Sequence, residues 1–234
     1  MNKKSKECPG ESLFRAILDD DRARVKVLLQ KNPRLAAECV ATEPRLALEL
    51  PHWIYVGDTA LHAAAAGHRV EIAKMLLAAG ADPNAAGNHR RSGPLHYAAD
   101  GSLENPGWDP KRQVSVIRLL LDAGAEIHAQ DKNGATALHR AVRTRCAGAV
   151  KCLLDAGADA TIRNLPGSTA FHLAVQNTGR GGSGAEVAKA AQREIIKTFL
   201  DRGVSTAIKD ANGKTVLQWA KSDSIRQMLS GNGA

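Results

Sequence analysis

From His139 to Gly157 the chain reads HRAVRTRCAGAVKCLLDAG, an alanine-rich stretch followed by Val150, Leu153 and Leu154 on one helical face. Apolar residues three and four apart, with polar residues between them, predict an amphipathic helix. Gly157 then marks where that helix stops. Residues 12–32 repeat the two-helix pattern, with Leu13, Ala16 and Ile17 in the first helix and Val25, Leu28 and Leu29 in the second. Near the other end, DSIRQMLSGNGA predicts a last short helix with Ile225, Met228 and Leu229 facing inward. Two short helices of this kind cannot bury their apolar faces alone, so each pair must stack on a neighbour.

Aligning the chain with itself exposes the stack. One block recurs as GDTALHAAA from Gly57, SGPLHYAA from Ser92, GATALHRAV from Gly134 and GSTAFHLAV from Gly167, with a worn copy, GKTVLQWA, from Gly213. A second block, MLLAAGADPN, LLLDAGAEIH, CLLDAGADAT or FLDRGVSTAI, follows each of the first four in fixed order. The histidine marker falls at His62, His96, His139 and His172, with Gln218 in the last copy, at spacings of 34, 43, 33 and 46. The unit is therefore about 33 residues, and two units are lengthened.

Thr136-Ala-Leu-His139 and Gly157-Ala-Asp159 resemble the opening and ending of the ankyrin repeat, and the likeness is clear over residues 57–220. It departs from the family where Ala60, Ala137 and Ala170 replace proline and Gly93 replaces threonine. The resemblance implies an all-α ankyrin-repeat solenoid of stacked helix-turn-helix units with short hairpin tips. On this reading residues 1–10 are a flexible tail and 11–230 a single domain. Its parts are an N-terminal cap with an extra segment at 11–56, repeats at 57–90, 91–133, 134–166 and 167–212, and a C-terminal cap at 213–230.

Both expansions fall between the two helices of their units, at about 101–110 and 178–190. The second contains Gly179, Gly181 and Gly184 in the spacing G-x-G-x-x-G. A dinucleotide fingerprint must follow a strand, and here a helix precedes it, so a turn ahead of a helix is the better reading. Ser183 and Glu186 have capping-box spacing, and Val187, Ala191, Ile195 and Phe199 form the stripe of the helix behind them. In the first expansion Asp109 and Pro110 predict a helix start. Lengthening a surface loop costs only about 0.6 kcal/mol per doubling, so either insert is compatible with contacts or with drift. Trp108 has two readings, an interface anchor or a lid on its own repeat. Residues 33–56 predict one more short helix, with Trp53 and Tyr55 either in the core under the first hairpin or on an exposed patch.

Composition narrows the class further. Aromatic residues are 3% of the 234, and alanine and leucine dominate the apolar set, which favours closely spaced helices. No leader-like apolar region follows the N-terminal lysines, and no run is long enough to span a bilayer, so the expectation is a cytoplasmic monomer. Cys8, Cys39, Cys146 and Cys152 lack CxxC spacing and are expected to be reduced thiols. The net charge of +8 suits an acidic partner.

Candidate chemistry is sparse. Stacked repeats are roughly 10 Å apart, too far for successive histidines to share a zinc ion with ligands at about 2 Å. The resemblance makes His62, His96, His139 and His172 structural, hydrogen-bonded to backbone at repeat junctions. No nucleophile, metal or cofactor signature is present, so neither catalysis nor a cofactor is expected. The resemblance places a binding surface on the hairpin tips and on exposed first-helix positions of a concave face. The tips carry His89, Arg90 and Arg91, then Lys132 and Asn133, Leu165, and Ala211 and Asn212. The helix positions are Tyr97 and Asp100, Arg140, Arg143 and Thr144, and Gln176 and Asn177. Lys132, Arg140, Arg143, Arg145 and Lys151, with no intervening acid, read either as a positive contact strip with Arg90 and Arg91 or as a solvated face. The expected function is a non-enzymatic protein-protein interaction module, serving as inhibitor, adaptor or immunity-type factor, for a protein partner with an acidic patch. The alternative is a basic surface for nucleic acid or another polyanion, which no interleaved aromatic platform supports.

Overall fold

The computed structural model describes residues 9–41, 54–105, 107–177 and 184–231, and all regular structure among them is helical. A first pair, α1 (Pro9–Leu18) and α2 (Arg22–Lys31), is followed by a 3-10 turn at Pro33–Ala37. Then come α3 (Ala60–Ala66) and α4 (Val70–Ala78), α5 (Pro94–Ala99) and α6 (Pro110–Asp122), and α7 (Ala137–Arg143) and α8 (Ala147–Asp155). The series closes with α9 (Ala170–Ala174) and α10 (Glu186–Asp201), and α11 (Val216–Trp219) and α12 (Asp223–Ser230). The first helices α1, α3, α5, α7, α9 and α11 pack in chain order as one layer, and α2, α4, α6, α8 and α10 as a second.

Alanine makes this layering possible. Every residue of α3 is buried, as are Ala98 and Ala99 of α5 and Ala137 and Ala141 of α7. Small side chains let successive first helices approach closely, and Leu61, Leu95, Leu138 and Phe171 fill the space between them. Phe171 stacks on Phe199 with ring centroids 4.7 Å apart. In the first pair Leu13, Ala16, Ile17, Val25 and Leu29 are buried and Leu28 packs against the core, while Ile225 and Leu229 do the same work in α12.

The helix starts follow local rules. Thr59, Thr136, Thr169 and Thr215 sit at N-caps in extended conformation. Alanine at the first helical position in place of proline leaves the boundary unchanged. Gly93 has no side chain to cap α5, so that end keeps only the His96 half of the device, in which Gly93 N–H donates to His96 Nδ1 at 3.2 Å. Asp109 caps α6 as expected, its Oδ1 accepting from Lys111 N–H at 2.8 Å.

Two expectations are corrected. Helix α10 begins at Glu186 behind Ala185, so Glu186 is its first residue and pairs with Lys189 at 2.9 Å instead of closing a capping box. Ser183 and the glycines at 179 and 181 lie outside the described residues. Val187 is 55% exposed while Ala191, Ile195 and Phe199 are buried. Helix α10 has 16 residues against nine in α8, and Val187 in its first turn stays largely in solvent. Of the described residues between 33 and 56, Pro33–Ala37 form the 3-10 turn, which buries Leu35 and Ala36; residues 42–53, Trp53 among them, lie outside the described residues.

Candidate protein-binding face

The repeat junctions come first, because they decide which polar groups are left for a partner. His62 Nδ1 accepts from Thr59 N–H at 3.0 Å, which leaves Nε2 to donate to Ser92 O at 2.9 Å in the next unit. His96 bridges to Ala135 O at 3.0 Å, His139 to Ser168 O at 3.2 Å and His172 to Lys214 O at 3.1 Å by the same geometry. An acceptor bond at one ring nitrogen and a donor bond at the other specify the neutral ring. Burial, assisted by the Arg140 guanidinium, pushes His96 down to about 4, and burial also lowers His139 and His172. Gln218 keeps half of the device, with Oε1 accepting from Thr215 N–H at 2.8 Å.

The tips are laddered to one another. Lys132 N–H donates to Arg90 O at 2.8 Å, Leu165 N–H to Asn133 O at 2.8 Å and Ala211 N–H to Gly167 O at 3.0 Å. Gly134 must be glycine here, since its φ is +71° and a Cβ would meet Leu165 N at 2.7 Å. Asp131 and Asp210 brace their tips by accepting backbone N–H groups. Burial disfavours ionising Asp131, but those bonds and Arg140 outweigh it and hold the carboxyl below its ordinary pKa.

Tip side chains are presented differently along the ladder. His89, Arg91, Lys132, Asn133, Leu165, Ala211 and Asn212 are exposed, and Leu165 reaches 75%. Arg90 is half-buried: its guanidinium lies 5.1 Å over the Tyr55 ring and donates to the Tyr55 hydroxyl at 2.7 Å. Tyr55 also meets His89 edge-on at 5.0 Å. It therefore pins the first tip.

The first-helix positions depart most from expectation. Tyr97, Asp100 and Arg140 are buried, not displayed. The Tyr97 hydroxyl donates to the buried Asp58 carboxylate at 2.8 Å. Arg140, 1% exposed, donates to Asp100 Oδ2 at 2.8 Å, Asp131 Oδ2 at 2.9 Å and Ser92 Oγ at 2.7 Å. Its two carboxylates outweigh burial and keep its pKa above the ordinary value. The basic strip is consequently dispersed. Arg143 is exposed but 3.6 Å from Asp100, and Lys151 pairs with Asp155 at 2.7 Å. Arg145 is half-buried and donates to Ala174 O at 3.1 Å and Gln176 O at 2.9 Å. Only Lys132 and Arg91 of the set project from the tips without a carboxylate within 4 Å among the described residues.

The first insert folds back on the protein. Trp108 is half-buried against the core with its indole nitrogen enclosed, and a Cβ at Gly101 would meet Trp108 Nε1 at 2.7 Å. This matches the lid reading of Trp108. A pair of residues that sequence reasoning missed serves both inserts. Gln113 Nε2 donates to Ala98 O and Ala99 O at 3.1 Å, and Gln192 Nε2 donates to Ala174 O at 2.7 Å. They satisfy carbonyls at the end of α5 and α9 that an ordinary tight turn would cover. Both stand eleven positions before the helix-ending glycines Gly124 and Gly203, where the units without inserts carry Arg69 and Cys146.

Where α9 meets α11 the first-helix layer opens into a cleft of about 460 Å³, lined by Gln176, Asn177, Lys214, Gln218, Trp219 and Lys221. Two of the expected contact residues, Gln176 and Asn177, are brought together there. Among the described residues no group of three or more His, Cys, Asp or Glu side chains is placed to hold a metal ion, and no helix is long and apolar enough to cross a membrane.

Family models agree with this architecture: an ankyrin-repeat model of three copies matches residues 110–189 and a single ankyrin-repeat model residues 56–88. The chain is 34% identical over 109 residues to Ankyrin repeat and SOCS box protein 6 of Mus musculus, covering 47% of this chain and 23% of that protein. Its Homo sapiens counterpart is 34% identical over 84 residues, 36% of this chain and 18% of that protein. The matched segments thus span about a quarter or less of these relatives. An ankyrin repeat domain from Acinetobacter baumannii AYE superposes with a TM-score of 0.66 at 24% identity, covering 95% of this chain and 97% of that one. With phased repeats, junction histidines and laddered tips in place, the chain belongs to the ankyrin repeat family.

Proposed function

We propose that the protein is a non-enzymatic interaction module that binds a protein partner through its hairpin tips and the open part of its first-helix face. Ankyrin repeats are in general protein-protein interaction modules, and one observation carries the reading to particular residues. The junction histidines, Tyr97, Asp131 and Arg140 are engaged within the stack, yet it leaves the tip side chains Arg91, Lys132, Asn133 and Leu165 projecting from a hydrogen-bonded backbone ladder. A rigid row of this kind binds with little ordering cost. The excess of basic residues favours a partner with an acidic patch. Inhibitor, adaptor and immunity-type roles all use such a surface.

The test is affinity capture from lysate of the source organism, with bound species identified by mass spectrometry before and after nuclease treatment. The reading expects a protein that is retained after nuclease and lost with Leu165→Asp combined with Lys132→Glu. A nucleic acid captured instead, with affinity falling at a log-log salt slope of about −0.7 to −0.9 per phosphate, would replace it with the polyanion reading.

A further inference from the structure

We infer that the cleft between α9 and α11 is the docking site for an acidic peptide segment of the partner. The inference rests on the protein-binding reading above and adds to it a place and a chemistry. Lys214 and Lys221 line the cleft, both are exposed, and neither has a carboxylate within 4 Å among the described residues. The contrast with the rest of this layer is sharp, since Arg140 and Arg143 are paired with acids and Arg145 is spent on carbonyls. The two lysines are therefore the ammonium groups of the first-helix face still open to an external anion.

The remaining lining suits a polypeptide. Gln176, Asn177 and Gln218 contribute carboxamides, which both donate to and accept from a peptide backbone. Trp219 supplies the apolar wall, and it is held in place before any ligand arrives. Its indole N–H donates to Asp210 Oδ2 at 3.0 Å, and its ring meets His172 edge-on at 5.3 Å. Asp210 forms no ion pair within 4 Å with either lysine, and its carboxylate accepts instead from Asn212 N–H, Lys214 N–H and that indole. Gln176 is fixed through its carbonyl, which accepts from Arg145 and Gln192. A preorganised aromatic wall, carboxamides and two unpaired ammonium groups fit a segment that carries carboxylates beside an apolar side chain.

The experiment titrates the isotope-labelled full chain with a short fluorescein-labelled peptide of glutamate pairs separated by leucines. The controls are the same peptide with glutamine for glutamate and an oligothymidylate of equal length. Saturable binding is expected, with shifts at the side-chain amides of Gln176, Asn177 and Gln218 and at the Trp219 indole. Lys214→Glu with Lys221→Glu should weaken binding at least about tenfold, and an unchanged thermal midpoint will show that the variant is folded. The glutamine peptide should bind far more weakly. Shifts located elsewhere, unaltered affinity in the variant, or tighter binding of the oligothymidylate at the same signals would overturn the assignment. If the variant still captures the wild-type protein partner while the peptide fails to bind, the cleft assignment falls and the protein-binding reading stands.

Discussion

Arg140 and Arg143 are one helical turn apart and have opposite fates. Arg140 is enclosed with Asp100 and Asp131, so Arg140→Ala leaves two buried carboxylates without their counter-charge and should cost about 3–5 kcal/mol. Arg143 is 58% exposed at 3.6 Å from Asp100, and Arg143→Ala should cost under about 1 kcal/mol. Urea denaturation of the two variants checks the difference. The histidines set a second expectation. Burial lowers His68 to about 4, as burial and Arg140 do for His96, whereas the unfolded chain protonates them near the ordinary value of 6.5. Below about pH 6.5 the unfolded state therefore binds protons that the folded state refuses. Stability should fall as pH drops towards 4, by up to about 1.4 kcal/mol per pH unit for each such histidine, with His139 and His172 acting in the same direction. Denaturation midpoints at several values between pH 7.5 and 4.5 measure this, and a flat profile would contradict it. The histidine column was legible because each histidine stands three residues after its N-cap in a block that recurs along the chain. The burial of Arg140 was not, since Asp100 lies 40 positions away and Ser92 lies 48.

At the scale of elements, helix pairs were readable from periodicity and caps because those forces are local. The N-cap at Asp109 and the inward faces of α1, α2 and α12 follow directly from the residue pattern. What periodicity does not report is how an inserted loop leaves helix-end carbonyls without partners. Gln113 and Gln192 answer that need, and their shared register was present in the sequence but is visible only once the inserts have been placed between helices. Removing the Gln113 amide takes its donor from Ala99 O, whereas Ala98 O keeps His68 and the carbonyls of Ala174 and Gln176 keep Arg145 when Gln192 is removed. Gln113→Ala should therefore cost about 1–3 kcal/mol and Gln192→Ala less. Hydrogen exchange should rise locally in the insert beside the altered residue, and a rise spread evenly over the chain would argue against the local role.

Across the whole molecule, each unit is buttressed mainly by its neighbours, so the site of damage matters as much as its size. Leu138 is buried in the middle of the first-helix layer, and Leu229 is buried in α12, in the last unit. Leu138→Ala should divide the array and broaden or split the unfolding transition, whereas Leu229→Ala should fray the C-terminal unit and leave the main transition in place. Calorimetry distinguishes these outcomes. The same one-dimensional arrangement leaves the tips and the α9–α11 cleft free of stacking, and the account of function depends on that division of surface. Its most direct test is a hydrogen-exchange footprint of the protein bound to its captured partner. The account predicts protection over residues 89–91, 132–133, 164–166 and 211–221. Protection confined to the outward faces of α4, α6 and α8, with the tips and cleft unchanged, would contradict it.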